Sequence, residues 1–447
     1  MKTGRWSEVT ESQYPWEREA LSYLREKLPD SEPFRAWSNF EFVADDGSIN
    51  EIDLLVVSLY KIYLVEIKSR PGRLTGDAGT WTWTHEGRER VDDNPLLLAN
   101  RKAKKLKSLL QRQGALRRQR IPFVEPVIFL SNLALRCELT GAGRAGVYLG
   151  KAAENKAFPD IVTVLSGALT PEGGRTGVGP QRIDRTLSKA LGRAMDHAGI
   201  RPSHRQRRVG DYELERLIWQ KEDGEDVVYQ DWEAHHVSFR RSKRRVRVYP
   251  VALQSSDLAR AARRRAAERE YQLLDGVVHP GILRVEQFTE HERGPALVFE
   301  HDASAERLDL YLQRRGKEID LDTRLLLLRQ VAETLHFAHS HRLYHRALSP
   351  QTILVIDPDS GNPKIKIFDW QTAKREDSVR TGTRLTLEET VQPGLSGDKQ
   401  SVVYLAPEIT TTGGFDIDRL DIFSLGTIAY FIVSGVPPAG SVEELHQ

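Results

Sequence analysis

Ile52 to Lys68 reads IDLLVVSLYKIYLVEIK, and the first half of the chain is organised around it. Two runs rich in Val, Ile, Leu and Tyr, each of strand length, flank Ser58-Leu59-Tyr60-Lys61, so the stretch reads as an antiparallel pair. Asp53 opens the first run, and Glu66 and Lys68 close the second. On one strand Glu66 and Lys68 share a face while Val65 and Ile67 enter the apolar layer, and the hairpin folds Asp53 back beside them. Two carboxylates and a lysine on one sheet face can hold a divalent cation and a water. Hard Mg2+ prefers carboxylate oxygens, and the lysine polarises the water or steadies charge developing on a phosphate. Charged strand ends also serve as solvated edge markers, and spacing alone does not separate the two readings.

Around this hairpin, WEREALSYLREKL gives an amphipathic helix over Pro15–Leu28 that carries Glu17, and Glu41 to Lys68 supplies strands. Trp81 to Val91 is a short hairpin with a polar turn at His85 to Arg88, Asn94 to Gln113 is a basic helix, and Val124 to Leu130 is a further apolar strand. The succession of helix, antiparallel strands, helix and strand is an α/β (α+β) arrangement. The ordered set of Glu17 in its helix, IDxLVV with Asp53, VEIKS with Glu66 and Lys68, Gly72, the Trp81/Trp83 hairpin and Asn94-Pro95 resembles the PD-(D/E)xK nuclease core as found in the nuclease-related domain (NERD) family. The resemblance covers residues 10 to 130 and implies catalytic roles for Glu17, Asp53, Glu66 and Lys68, with Asp53 and Glu66 as Mg2+ ligands and DNA as partner. One departure is that the Gln expected after Asn94-Pro95 is not evident in LLLANRK.

The chain has 447 residues, 39% of them hydrophobic, which suffices for two or three ordinary cores. No run reaches membrane-spanning length and MKTGRWSEVTESQ has no signal-peptide core, so a soluble cytoplasmic protein with no membrane partner is expected. The single Cys137 excludes an intramolecular disulfide framework and reads as a small buried hydrophobe. A net charge of +2 hides segregation: Arg101, Lys102, Lys104, Lys105, Lys107, Arg112, Arg117, Arg118 and Arg120 follow one another with no acid between them. Such a run can track phosphates by counterion release, or be a solvated helix face over Leu106, Leu109 and Leu110. The basic blocks at Arg240 to Arg247 and Arg260 to Arg265 read as surface. Farther on, GAGRAGVYLG and TPEGGRTGVGP read as loops, Ile161 to Leu165 as a last strand and Pro180 to Gly199 as a helix. This gives a first domain over 1–199 and a linker over 200–210.

From Asp211 the pattern changes. Strand-like runs begin at Tyr212, a helix covers Asp257 to Leu274, a strand ends at Glu300, and residues 322 to 341 form a long helix. HPGI, the Glu300 hinge, HRALSPQTIL, FDW and APE followed by DIFSLG, in this order and spacing, closely resemble a serine/threonine protein kinase. The resemblance implies a bilobal kinase-like fold over 211–447, with an N-lobe over 211–300 and a C-lobe over 301–447 whose final helices are absent, and it implies ATP and Mg2+ as cofactors. Glu270 then falls at the helix glutamate, Glu300 at the nucleotide hinge, Gly224 in the phosphate-covering loop, His345 and Arg346 in the catalytic loop and Asp369 at the metal. The family's other positions are changed. The strand lysine is expected at Tyr249, the base is Ala347, the loop lysine is Ser349, the metal-binding Asn is Thr352, and Gly224 stands where three glycines are usual. A pseudokinase that binds ATP weakly is therefore favoured. The loop residues Ser378, Thr381, Thr383, Thr386, Thr390 and Ser401 are candidate phosphorylation sites. The two domains in this order resemble the front end of the large kinases of phage growth limitation and type 2 BREX bacterial defence systems, which implies an anti-phage role with DNA and other defence proteins as partners. The alternatives are an active kinase with the first domain as a DNA-binding module, or a non-catalytic scaffold.

Overall fold

A computed structural model describes residues 1–447 apart from 2–3, 13, 118, 151–157, 168–181, 201–206, 224–225, 253–254, 373, 376–398, 411–416 and 446–447. The chain divides into two units, Met1–Gln206 and Arg207–Gln447.

In the first unit a six-stranded mixed sheet runs in the order β1 (Trp6–Glu8), β2 (Arg35–Val43), β3 (Ile49–Val57), β4 (Ile62–Lys68), β8 (Val124–Leu130), β10 (Val147–Leu149). The β3–β4 pair is the antiparallel hairpin expected for IDLLVVSLYKIYLVEIK, with Leu54 opposite Val65 and Val57 opposite Ile62. β4 then pairs in parallel with β8, a crossover that α2 (Pro95–Gln111) supplies. Helix α1 (Pro15–Lys27) covers one face, burying Leu21 and Leu24 on Leu54, Val56, Val65 and Ile67. Helices α2 and α4 (Arg185–His197) cover the other, over Ile52, Leu55, Ile62 and Leu64. Strands buried on both faces read as near-continuous apolar runs, which is why β3 and β4 dominate the sequence. A second sheet, β7-β6-β5-β9, comprises β5 (Gly72–Gly76), β6 (Thr80–His85), β7 (Arg88–Asp93) and β9 (Leu135–Cys137). Gly72 has φ +99°, and a Cβ there would lie 2.3 Å from the Thr84 carbonyl, so only glycine fits beside β6.

Three expectations for this unit need correction. Ile161–Leu165 is the short helix α3, because the Asp160 carboxylate caps it through the Thr163 amide and Ile161, Val164 and Leu165 fall on one helical face. GAGRAGVYLG contains β10, added to the sheet edge by parallel pairing with β8. The helix expected over Pro180 to Gly199 begins only at Arg185, where the Asp184 carboxylate accepts from the Leu187 amide. TPEGGRTGVGP, with the first residues of that expected helix, and most of the linker lie outside the described residues. Cys137 is buried, and burial raises its thiol pKa.

The second unit opens with an antiparallel sheet in the order β11-β12-β13-β14-β16-β15, formed by β11 (Arg208–Val209), β12 (Tyr212–Asp223), β13 (Asp226–His236), β14 (Lys243–Val248), β15 (Val285–His291) and β16 (Gly294–Phe299). Helix α5 (Asp257–Leu274), N-capped by Ser256, lies on it. Then come β17 (Glu306–Arg307), α6 (Leu308–Arg315), the 20-residue α7 (Leu321–Ser340), the short strands β18 (Leu343–Tyr344), β19 (Ile353–Ile356), β20 (Lys364–Ile367) and β21 (Lys374–Arg375), and α8 (Ile417–Ser434). HPGI is explained by its packing. A Cβ on Gly281 would lie 2.0 Å from Thr334 Oγ1 of α7, and the Gly281 carbonyl accepts from the Ile367 amide at 2.7 Å, which fixes the strand leading into Asp369. In the basic block at Arg240 to Arg247, read as surface, Arg245 and Arg247 are buried, while Arg240 and Arg241 are exposed.

Candidate active sites of the two units

In the first unit the hairpin, α1 and α2 bring Glu17, Asp53, Glu66 and Lys68 within electrostatic reach of one another. β2 and β3 are irregular at this point. Trp37 and Phe40 enter the same core, as do Ile52 and Leu55, separations of three that a regular strand sends to opposite faces. The irregularity falls at Asn39, whose φ is 51°, in a register that leaves Asn39 and Asp53 between the Ser38/Leu54 and Phe40/Ile52 pairs. Asp53 Oδ2 there accepts from the Ile67 amide at 2.7 Å.

Glu66 is gripped from two sides. Lys68 Nζ lies 3.0 Å from Oε1, and Lys102 Nζ of α2 lies 3.0 Å from Oε2. Burial would raise the Glu66 carboxyl, but Lys102 and then Lys68 outweigh it and hold it at about 2. Asp53 is pushed well above the ordinary carboxylate range by burial and by the Glu66 charge. Glu17 rises to about 7, through burial foremost, opposed by the Ser12 hydrogen bond and reinforced by Glu51. Burial would lower the Lys68 ammonium, but Glu66 and Asp53 raise it, so Lys68 stays charged and acts as a cation rather than a base.

Lys102 and Glu51 are the residues the sequence reading missed. Lys102 sat inside a run of nine basic residues, and only its burial sets it apart. Part of that run is spent internally, since Lys105 pairs with Asp46 at 2.8 Å and Arg112 with Asp45. Arg101, Lys104, Arg117 and Arg120 are exposed, and Arg118 lies outside the described residues.

A divalent cation suits this cluster. Its donors are carboxylate oxygens, and Glu17, Glu51, Asp53 and Glu66 outnumber Lys68 and Lys102. Burial foremost, and after it the neighbouring acids, raises Asp53 and Glu17. Among the described residues no three acidic, histidine or cysteine side chains converge closely enough to hold an ion. Asp53 and Glu66 are the carboxylates that would hold such an ion, with the rest of its shell left to water and phosphate oxygens, the usual habit of Mg2+.

In the second unit the ion-pair geometry corrects the strand cation. It is Arg247, two residues before Tyr249 and on the same face of the chain. Arg247 Nη1 donates to Glu270 Oε1 at 2.8 Å and to Asp369 Oδ1 at 3.3 Å, while Nε and Nη2 donate to Asp231 at 2.7 and 2.9 Å. Its guanidinium stacks 3.7 Å from the centre of the Tyr229 ring, and the Tyr249 hydroxyl donates to Glu270. Arg245 donates to Asp231 at 2.5 and 2.9 Å. Lys221 of β12 reaches Asp369 Oδ2 at 2.8 Å. Three acids, Asp231, Glu270 and Asp369, thus face three bases, Arg245, Arg247 and Lys221. Burial would raise Asp369, but Lys221 and Arg247 hold it at about 2.

The catalytic loop keeps its shape. Asp421 of α8 accepts from the His345 and Arg346 amides at 2.7 and 2.6 Å, and the His345 ring contacts the Phe368 carbonyl at 2.9 Å. Its chemistry is changed: Ala347 packs on Leu405, and the Thr352 hydroxyl is turned to the Ser349 carbonyl at 2.9 Å. Glu300 stands apart, accepting from the Arg284 amide at 2.9 Å and from Lys366 at 2.5 Å. Gly224 lies outside the described residues, as do the candidate phosphorylation sites of the following loop apart from Ser401. A divalent cation does not fit here, because both Asp369 oxygens carry cations, charge is balanced, and the second ligand position holds an engaged threonine.

The first unit thus has the helix, hairpin and acid–lysine set of a nuclease core, and the second has the sheet, helix and ordered loop of a protein kinase. Family comparison agrees: residues 12–131 match the nuclease-related domain (NERD) family and residues 240–447 match the protein kinase domain family. Among individual proteins, "Probable kinase PglW" of Streptomyces coelicolor is 36% identical over 463 aligned residues, covering 100% of this chain and 28% of its own length. "Probable serine/threonine-protein kinase fhkC" of Dictyostelium discoideum is 29% identical over 38% of this chain and 26% of its own length. The Aurora kinase of Candida glabrata is 29% identical over 38% of this chain and 42% of its own length. The chain therefore spans less than half the length of each of these relatives.

Proposed function

We propose that the first unit cleaves DNA phosphodiester bonds with Mg2+ or Mn2+, and that the second is a pseudokinase that regulates or recruits it. The observation that carries the reading is the acid-rich cluster of Glu17, Asp53 and Glu66 around the charged Lys68. A bound cation would polarise the scissile phosphate and its attacking water. Asp53 and Glu66 would hold it, and Lys102 and Lys68 keep Glu66 ionised and aimed. The Lys68 ammonium faces the charge that grows on the phosphate oxygens. Glu17, held at about 7, is the group able to accept the proton of the attacking water near neutral pH. Attack at phosphorus breaks the bond to the leaving sugar oxygen, which takes a proton from solvent.

Protein kinase domains in general use ATP and Mg2+, but this one has no carboxylate where the base belongs. Ala347 sits in an apolar contact with Leu405, so nothing there can take the proton of a substrate hydroxyl. A place in bacterial anti-phage defence, in the cytoplasm, with DNA and other defence proteins as partners, is the reading that the order of the two domains suggests; the likeness to "Probable kinase PglW" spans all of this chain but 28% of that protein.

The test is incubation of the purified chain with plasmid and Mg2+ or Mn2+ beside Glu66→Ala. Metal-dependent nicking by the parent chain alone is the expected result; equal digestion by both would remove the nuclease reading. Labelled ATP with an Asp369→Ala control tests the other half, and Asp369-dependent incorporation would overturn the pseudokinase reading.

A further inference from the structure

The mismatch between the Asp369 site and a divalent cation has a positive counterpart in Lys221. We propose that the kinase-like cleft takes the phosphates of a nucleoside di- or triphosphate without a divalent cation, with Lys221 supplying the charge that a metal supplies elsewhere. This rests on the pseudokinase reading and deepens it.

The argument is one of donors. Arg247 directs all three of its nitrogens at Asp231, Glu270 and Asp369, and it is 1% exposed, so it holds the strand, helix and loop together rather than meeting a ligand. Arg245 is committed to Asp231. Lys221 is different. It lies on β12, the strand leading into the turn that covers phosphates in kinases, and its side chain is 15% exposed against 4% for Asp369. An ammonium has three N–H groups, and one suffices for Asp369, so the same nitrogen can bridge the carboxylate and a phosphate oxygen. Placing a metal on Asp369 would instead displace Lys221 and leave its part-buried ammonium without its counter-ion, a loss that Thr352 cannot offset as a ligand while its hydroxyl serves Ser349.

ATP, ADP and adenosine are titrated calorimetrically into the full chain in EDTA and again in excess Mg2+. The expected result is saturable ATP and ADP binding in EDTA that Mg2+ does not strengthen, with adenosine weaker. Lys221→Met lowers ATP affinity by about tenfold or more, and Lys221→Arg largely restores it. Because Lys221→Met leaves Asp369 under-compensated, the double change Lys221→Met with Asp369→Asn keeps the balance of charge; it should fold as the parent does and still bind ATP poorly. ATP binding that requires Mg2+, binding indifferent to Lys221→Met, or a folded parent chain with no saturable ATP binding would each overturn the proposal. Labelled-phosphate incorporation would sink the pseudokinase reading itself, whereas Mg2+-dependent binding without transfer sinks only this inference.

Discussion

Glu17 shows how much a single buried carboxyl decides. Its folded pKa of about 7 lies above the ordinary glutamate value, so between those two values the folded chain keeps a proton that the unfolded chain has lost. Its contribution to stability is therefore fully present at acid pH, declines as pH rises through that window, and is absent above about 7. Glu17→Gln keeps the neutral shape and removes the decline. In urea unfolding without divalent cations, the variant should gain on the order of 2 kcal/mol over the parent between pH 5 and 8. A constant difference across that range would mean that Glu17 is not the titrating group. At this scale Asp53, Glu66 and Lys68 were legible as neighbours, because alternation puts Glu66 and Lys68 on one face of β4 and the hairpin folds Asp53 beside them, although the irregularity of β3 at Asp53 was not. Lys102, Asp231 and Lys221 were not, since their roles come from partners 36, 16 and 148 residues away in the chain.

Two elements carry their own tests. On β14, Arg247 is the common partner of three buried acids, and removing it takes the cation from buried Glu270 and leaves Asp231 to Arg245 and Asp369 to Lys221 alone. Arg247→Met should destabilise the second unit by about 3–5 kcal/mol, measured by thermal or denaturant unfolding, while Arg284→Met, at an exposed ion pair, should cost under about 1 kcal/mol. On and just beyond α2 the exposed Lys104 and Arg117 remain for DNA after Lys102 and Lys105 have turned inward. Replacing both with Ala should lower the dependence of DNA affinity on salt by about 1 in slope for each phosphate no longer neutralised. An unchanged slope would place the DNA elsewhere. Element reading from sequence was reliable where periodicity ran long, as in α1, α5 and α7. It failed at Ile161–Leu165, where five apolar residues fit a strand or a helix and a single aspartate cap decides, and at β10, whose place is fixed by a neighbour already in the sheet. The strand cation was set two positions late because motif spacing fixes the face of a strand but not which residue on it reaches the helix.

For the whole molecule the contrast lies between two ionic clusters built from the same residue types. One, in the nuclease-related unit, has more acids than bases and raises Asp53 and Glu17; the other, in the kinase-related unit, pairs three acids with three bases, and although burial raises Glu270 it holds its loop aspartate at about 2. Sequence order pointed to both families, because their landmarks are local motifs. It could not reveal this difference, which depends on how many cations the fold delivers to each acid. Among the described residues no helix is long and apolar enough to cross a membrane.

Titration of Mn2+ into the full chain and two isosteric variants measures that difference directly. The parent chain and Asp369→Asn are expected to bind Mn2+ alike, and Asp53→Asn to lose the binding. Binding that survives Asp53→Asn, or that disappears with Asp369→Asn, would contradict the assignment of the metal site to the first unit.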